Sequence, residues 1–145
     1  MSSYPIKHIL LIEENPTLQD VILQALATTS EEHKVYLVND PQAALNFLYR
    51  RGEYAQSPRP QLILFDLNRP EMNQPDFLQT IKSDSTLKII PVVVLTNSDN
   101  WDDMIRGDRL PANCYIDKPL ELDQLFKTIK KLGKFWLQFV EFPAI

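Results

Sequence analysis

The chain has a single cysteine, Cys114, so no internal disulfide can form, and no cluster of cysteine and histidine has zinc-ligand spacing. A reducing, cytoplasmic setting is therefore expected. Positive charge is not in excess: 15 Lys and Arg stand against 19 Asp and Glu, for a net charge of -4 and a pI near 5.1. That balance gives no general attraction to nucleic-acid phosphates or to an anionic membrane, so direct DNA binding is not expected. No stretch is apolar for the length of a membrane span, and Met1 to Pro5 lacks the basic segment, apolar run and small-residue site of a secretory leader. A soluble, unexported protein is expected. There is no internal repeat. The eleven prolines fall mostly between periodic segments, where they mark turns and not a disordered tail. What remains is 145 residues, enough for one domain over 1–145 with a core built without staples.

Ile6 to Ile12 (IKHILLI) is a short, branched apolar run that predicts a strand, ending in the acidic turn Glu13-Glu14-Asn15-Pro16. Leu18, Val21, Ile22, Ala25 and Leu26 then recur at helical spacing. Val35 to Val38 predicts a second strand, and Asp40-Pro41 starts a helix with a carboxylate cap and proline at its first position. Leu45, Phe47 and Leu48 form its apolar face. Arg50 to Pro60, polar and broken by Gly52, Pro58 and Pro60, predicts a surface loop. A third strand runs from Leu62 to Phe65 and ends at Asp66, a helix lies near Asp76 to Lys82, and a fourth strand spans Val92 to Leu95 and ends at Thr96. A helix near Trp101 to Arg106, a strand at Cys114 to Ile116 and a long helix from Glu121 follow.

Strands alternate with helices, and the middle strands are apolar on both faces, which indicates a parallel sheet covered on both sides. The class is α/β. Five such units suit the flavodoxin-like doubly wound order 2-1-3-4-5 with five helices, where a site forms beyond the carboxyl ends of strands one and three.

That order brings Glu13, Glu14 and Asp66 to one rim of the sheet. Like charges about 4 Å apart at an effective dielectric near 20 repel by roughly 4 kcal/mol per pair, so protonation, separation or a cation must relieve them. Mg²⁺ suits such a set, since it takes a few carboxylate and carbonyl oxygens, keeps several waters and bridges readily to phosphoryl oxygens. Thr96 and Lys118 close the two remaining strands and add a hydroxyl and an ammonium. A carboxylate nucleophile, a cation, a positive side chain and a hydroxyl donor are what transfer of a phosphoryl group to Asp66 requires.

The segments LLIEENP (10–16), LILFDLN (62–68), VVVLT (92–96) and YIDKP (115–119) resemble the receiver domains of response regulators. FLYRRGEYAQSPRPQLILFDLN, IKSDSTLKIIPVVVLTNS, ANCYIDKPLELDQ and FWLQFVEFP are similar, more narrowly, to the small phytochrome-coupled response regulators of cyanobacteria. The resemblance implies that Asp66 is the phosphoacceptor, and that Glu13, Glu14, Asp66 and the backbone carbonyl of Asn68 surround Mg²⁺. It implies that Lys118 contacts the phosphoryl oxygens, that Thr96 donates its hydroxyl to the phosphorylated state, and that Tyr115 is an aromatic switch moving with Thr96. It also implies that the Lys118–Pro119 bond is often cis. Three positions depart from the family pattern: Glu14 replaces the usual aspartate, Gln74 a glycine, and Asn97 a small residue.

Other residues read more plainly. His8 and His33 lack metal-ligand partners and are expected to be structural, and Cys114 a small buried apolar residue. In the last helix Leu122, Leu125, Phe126, Ile129 and Leu132 form the core stripe. Beyond Gly133, Phe135, Trp136, Leu137, Phe139, Val140 and Phe142 cover more of the circumference than a core stripe needs. Residues 134–145 are thus read as an extended C-terminal helix and tail, and Phe135, Trp136, Phe139 and Val140 as a homodimer contact. The functional expectation is a stand-alone phosphoacceptor, not an enzyme acting on other molecules. It would take phosphate from a histidine kinase of phytochrome type and signal to an unknown downstream protein through a dimer or partner surface. The competing readings are a degenerate receiver serving as a phosphate-independent scaffold, and an FMN-binding flavodoxin. The second is disfavoured because carboxylates, not a Ser/Thr/Gly-rich loop, follow the first strand.

Overall fold

The computed structural model describes residues 6–29, 32–67, 74–96 and 114–139. Strand β1 (Lys7–Ile12) leads into helix α1 (Pro16–Leu26), strand β2 (His33–Val38) into α2 (Pro41–Leu48), and β3 (Leu62–Leu67) into α3 (Gln74–Ser83). Strand β4 (Val92–Thr96) follows, then β5 (Cys114–Asp117), α4 (Leu122–Lys134) and a π-helical turn, Phe135–Phe139.

The first two helices begin by one device. Asn15 accepts hydrogen bonds from the Thr17 and Leu18 amides at 2.9 and 3.2 Å, Asp40 accepts from the Ala43 amide at 2.8 Å, and proline follows each cap. A short polar side chain satisfies amides that have no helical partner, and the proline has no amide to satisfy.

All pairings are parallel, in the order β2-β1-β3-β4-β5. This is the doubly wound arrangement read from the sequence. The interior strands bury both faces by alternation. Leu10, Ile12, Ile63, Phe65, Val92 and Val94 pack with Ala44, Phe47, Leu48, Phe77, Leu78 and Ile81 of α2 and α3. Ile9, Leu11, Leu62, Leu64, Val93 and Leu95 pack with Ile22, Ala25 and Leu26 of α1 and with Leu125, Ile129 and Leu132 of α4. Period two sends successive side chains to opposite layers, so an uninterrupted aliphatic run is the signature of a strand covered on both sides.

The ends of elements differ from the sequence reading where pairing overrides composition. β2 begins at His33, because Lys7 pairs with it, and β3 and β5 run on to Leu67 and Asp117. α3 starts at Gln74, so this residue opens a helix. The polar loop after α2 holds a 3₁₀ turn, Gly52–Tyr54, reached through Arg50 and Gly52 at φ 55° and 56°. No peptide bond among the described residues is cis, so Lys118–Pro119 is trans, the isomer X-Pro bonds favour by about 0.5–1 kcal/mol. The helix expected near Trp101 to Arg106 lies outside the described residues.

The last helix corrects one core assignment. Leu122 is 46% exposed, because it sits in the first turn at the rim of the sheet, whereas Leu137 in the π-helical turn is fully buried and joins the α1–α4 layer. Gly133 lies within α4 at its close approach to α1, where an added Cβ would stand 3.0 Å from Leu26 Cδ2. No helix among the described residues is long and apolar enough to cross a membrane.

Candidate phosphoryl-acceptor site

Register assembles the site. Ile12 pairs with Phe65, so the next residues stand side by side at the carboxyl edge, Glu13 just past β1 and Asp66 near the end of β3. Thr96 pairs with Leu67 on one side and Asp117 on the other, and Lys118 follows Asp117 directly. Neighbouring strands lie about 4.8 Å apart, so four separate segments deliver their residues to one short rim.

Among the described residues Glu13 and Asp66 are the buried charged ones, 1% and 4% exposed. Lys118 Nζ donates to Asp66 Oδ1 at 2.7 Å. The other oxygen, Asp66 Oδ2, is buried without a hydrogen-bond partner among the described residues. Glu13 is fixed at several atoms: its amide donates to the Val38 carbonyl at 3.0 Å, and its Oε1 accepts from the Asn15 amide at 3.0 Å. Burial pushes the Glu13 carboxyl from an ordinary 4.5 up to about 8, helped by the neighbouring Asp66 carboxylate, and opposed by the Asn15 amide and Lys118. At neutral pH the Glu13 carboxyl therefore tends to keep its proton beside the Asp66 carboxylate.

That arrangement fits a divalent cation. A buried carboxylate oxygen lacking a donor, next to a carboxyl whose pKa burial and like charge raise, offers a pair of hard oxygen ligands suited to a divalent cation. Glu14, the third expected ligand, is exposed, and no group of three His, Cys, Asp or Glu side chains forms a ready cage among the described residues. Mg²⁺ commonly uses one or two carboxylates and keeps its waters, so a two-carboxylate nucleus is within its habit.

The remaining expected residues divide between backbone and surface. Thr96 ends β4 and Tyr115 pairs with Val94 in β5, but their side chains are outside the described set, as are Asn68 and Asn97 entirely. At the other end of the molecule Phe135 is 54% exposed and meets Trp136 edge-on with ring centroids 5.9 Å apart. Trp136 is partly buried against the α1–α4 layer, which makes it as much a core residue as a surface one. The backbone of Phe139 closes the π-helical turn, and Val140 lies outside the described residues.

Two residues that steady the acidic turn were missed from sequence. Asn15 caps α1 and holds Glu13 through its amide; its signal was Asn-Pro, the same grammar as Asp40-Pro41. Gln19 sends its amide nitrogen to the Glu13 carbonyl at 2.6 Å and to Asn39 Oδ1 at 3.2 Å. A lone glutamine in a helix carries no pattern that betrays such a bridge.

Residues 9–130 match the response regulator receiver domain family. The chain belongs to that family. It is 43% identical over 142 residues to response regulator Rcp1 of Synechocystis sp., covering 98% of this chain and 97% of that one. The crystal structure of the phosphorylated cyanobacterial phytochrome response regulator RcpA superposes with a TM-score of 0.87 at 44% identity, covering 97% of this chain and all of that one. The Mn²⁺-bound form of Rcp1 gives a TM-score of 0.86 at 43% identity, covering 95% and 99%. This receiver is thus a signalling protein of two-component type, similar from end to end to a phytochrome response regulator and to one that has been seen with a divalent ion.

Proposed function

We propose that this receiver accepts a phosphoryl group on Asp66 from the phosphohistidine of a kinase of phytochrome type, in the cytoplasm, with Mg²⁺ held between Glu13 and Asp66. The observation that carries the reading is the buried contact of Lys118 with Asp66 beside Glu13. An Asp66 oxygen attacks phosphorus, the new O–P bond forms as the N–P bond of the donor breaks, and the imidazole leaves to recover a proton. Lys118 is placed to follow the incoming phosphoryl oxygens, giving up part of its bond to Asp66 Oδ1 as it does so. Glu13 holds the second ligand position, fixed by the Asn15 and Val38 bonds. A cation bound there supplies charge against the phosphoryl oxygens, with Glu14 and the backbone carbonyl of Asn68 completing its surroundings. Thr96, at the end of β4, donates its hydroxyl to the phosphorylated state, and Tyr115 responds to that movement, altering the face beside β5 and α4 that an unknown downstream protein reads. Support for the partner and the cation comes from the end-to-end similarity to RcpA and to Mn²⁺-bound Rcp1. A homodimer formed through Phe135, Trp136, Phe139 and Val140 belongs to the same reading, on the strength of the exposed Phe135.

The test is phosphotransfer from a phytochrome-type histidine kinase, and from acetyl phosphate, to the wild type and to Asp66→Asn in the presence of Mg²⁺. The wild type is labelled and Asp66→Asn is not. Equal labelling of both would move the acceptor elsewhere, and no labelling of either would favour a scaffold that works without phosphate.

A further inference from the structure

We propose that Gln19 is a positioning residue for the cation site, acting through the Glu13 carbonyl and coupled to the corner between β2 and α2 through Asn39. The inference rests on the reading of Glu13 and Asp66 as cation ligands. Glu13 and Glu14 leave the strand in a turn, where no ladder continues to hold the chain. The Glu13 amide is still tied to Val38, the last residue of β2. Its carbonyl has passed beyond the sheet, and Gln19 supplies the donor that strand pairing no longer can, at 2.6 Å.

That carbonyl belongs to the peptide plane joining Glu13 to Glu14. A trans peptide is rigid, so fixing its oxygen also fixes the opposed Glu14 amide and the direction from which Glu14 enters the turn. Gln19 therefore holds both members of the acidic pair by one atom. A primary amide has two hydrogens, and Gln19 uses the second on Asn39 Oδ1 at 3.2 Å. Asn39 precedes Asp40, the cap of α2. One half-buried side chain thus ties the acidic turn to the start of α2, from a residue whose backbone N–H donates to the Asn15 carbonyl at 2.9 Å in the first turn of α1. Partners that orient metal ligands commonly govern affinity by about 10–100-fold when removed.

Gln19→Met keeps length and neutrality while deleting both donors, which avoids the added attraction for a cation that Gln19→Glu would bring. Calorimetric titration of the metal-free proteins with MgCl₂ is expected to show binding to the wild type, about tenfold weaker binding to Gln19→Met, and a smaller loss for Asn39→Ala. Phosphorylation of Gln19→Met by acetyl phosphate is expected to be slow at limiting Mg²⁺ and to recover at saturating Mg²⁺. A purely structural role would lower the melting temperature in EDTA without this recovery. Should Gln19→Met fail to fold, Gln19→Asn, one methylene too short to reach both acceptors, is expected to weaken Mg²⁺ in the same direction. Wild-type affinity in the glutamine variants, or a rate deficit that persists at saturating Mg²⁺, overturns the proposal. Failure of the wild type to take up Mg²⁺ overturns instead the cation site on which it rests.

Discussion

The ammonium of Lys118 and the carboxylate of Asp66 meet at 2.7 Å with 9% and 0% of their side chains exposed, so the nucleophile of the proposed reaction is already paired before any phosphate arrives. A pair this deep is costly to dismantle from one side. Removing one partner of a buried pair generally costs about 3–5 kcal/mol, because the other charge is left without compensation.

Lys118→Met tests that cost. The protonated Glu13 carboxyl beside Asp66 adds no second negative charge at pH 6, so the metal-free variant is expected to lose about 2 kcal/mol there, below the full penalty of a broken buried pair. The loss grows toward pH 8.5, where keeping that proton becomes harder. Urea unfolding in EDTA at the two pH values measures it. An unchanged midpoint at both would mean that the contact contributes nothing to the metal-free state.

Glu13 gives the metal-free protein a pH dependence of definite sign. Its carboxyl is raised from 4.5 to about 8, so between those values the folded chain holds a proton that the unfolded chain has released. The stabilisation tied to that proton is complete below about 4.5 and is lost as pH rises through about 8. Thermal unfolding in EDTA is therefore expected to show a lower melting temperature at pH 8.5 than at pH 6. Mg²⁺ should restore the difference, since a bound cation would take the place of the Glu13 proton. Glu13→Gln, which has no proton to lose, flattens the slope.

How far the sequence reached depends on how local each cause was. The apolar runs of β1, β3 and β4 reveal a doubly covered parallel sheet because burial on both faces removes polar residues from every position, and that sheet places Glu13 beside Asp66. The start of α2 was legible in Asp40-Pro41, since capping is written in adjacent residues. Element ends were less so: His33 joins β2 because Lys7 pairs with it, a fact of register and not of composition. Gln19 and Leu122 escaped for the same reason from opposite sides. One bonds a carbonyl six residues back, and the other has the right helical phase for a core it stands too near the rim to reach.

The C-terminal apolar residues divide into two kinds, and a pair of substitutions separates them. Leu137 is fully buried in the layer between α1 and α4, while Phe135 is 54% exposed two residues earlier. The π-helical turn also carries the Leu137 carbonyl that accepts from Lys7 Nζ, so this segment is tied to the start of β1. Leu137→Ala opens a cavity in packed surroundings and is expected to cost about 2–5 kcal/mol of monomer stability. Phe135→Ala removes mostly solvent-facing area, and its effect on unfolding should stay within about 0.5 kcal/mol, as for other surface changes. If the exposed ring is an anchor between two copies, Phe135→Ala instead shifts the protein toward monomer in sedimentation velocity at micromolar concentration. Wild-type protein that sediments as a monomer throughout would remove the dimer from the proposed function and leave the buried role of Leu137 untouched.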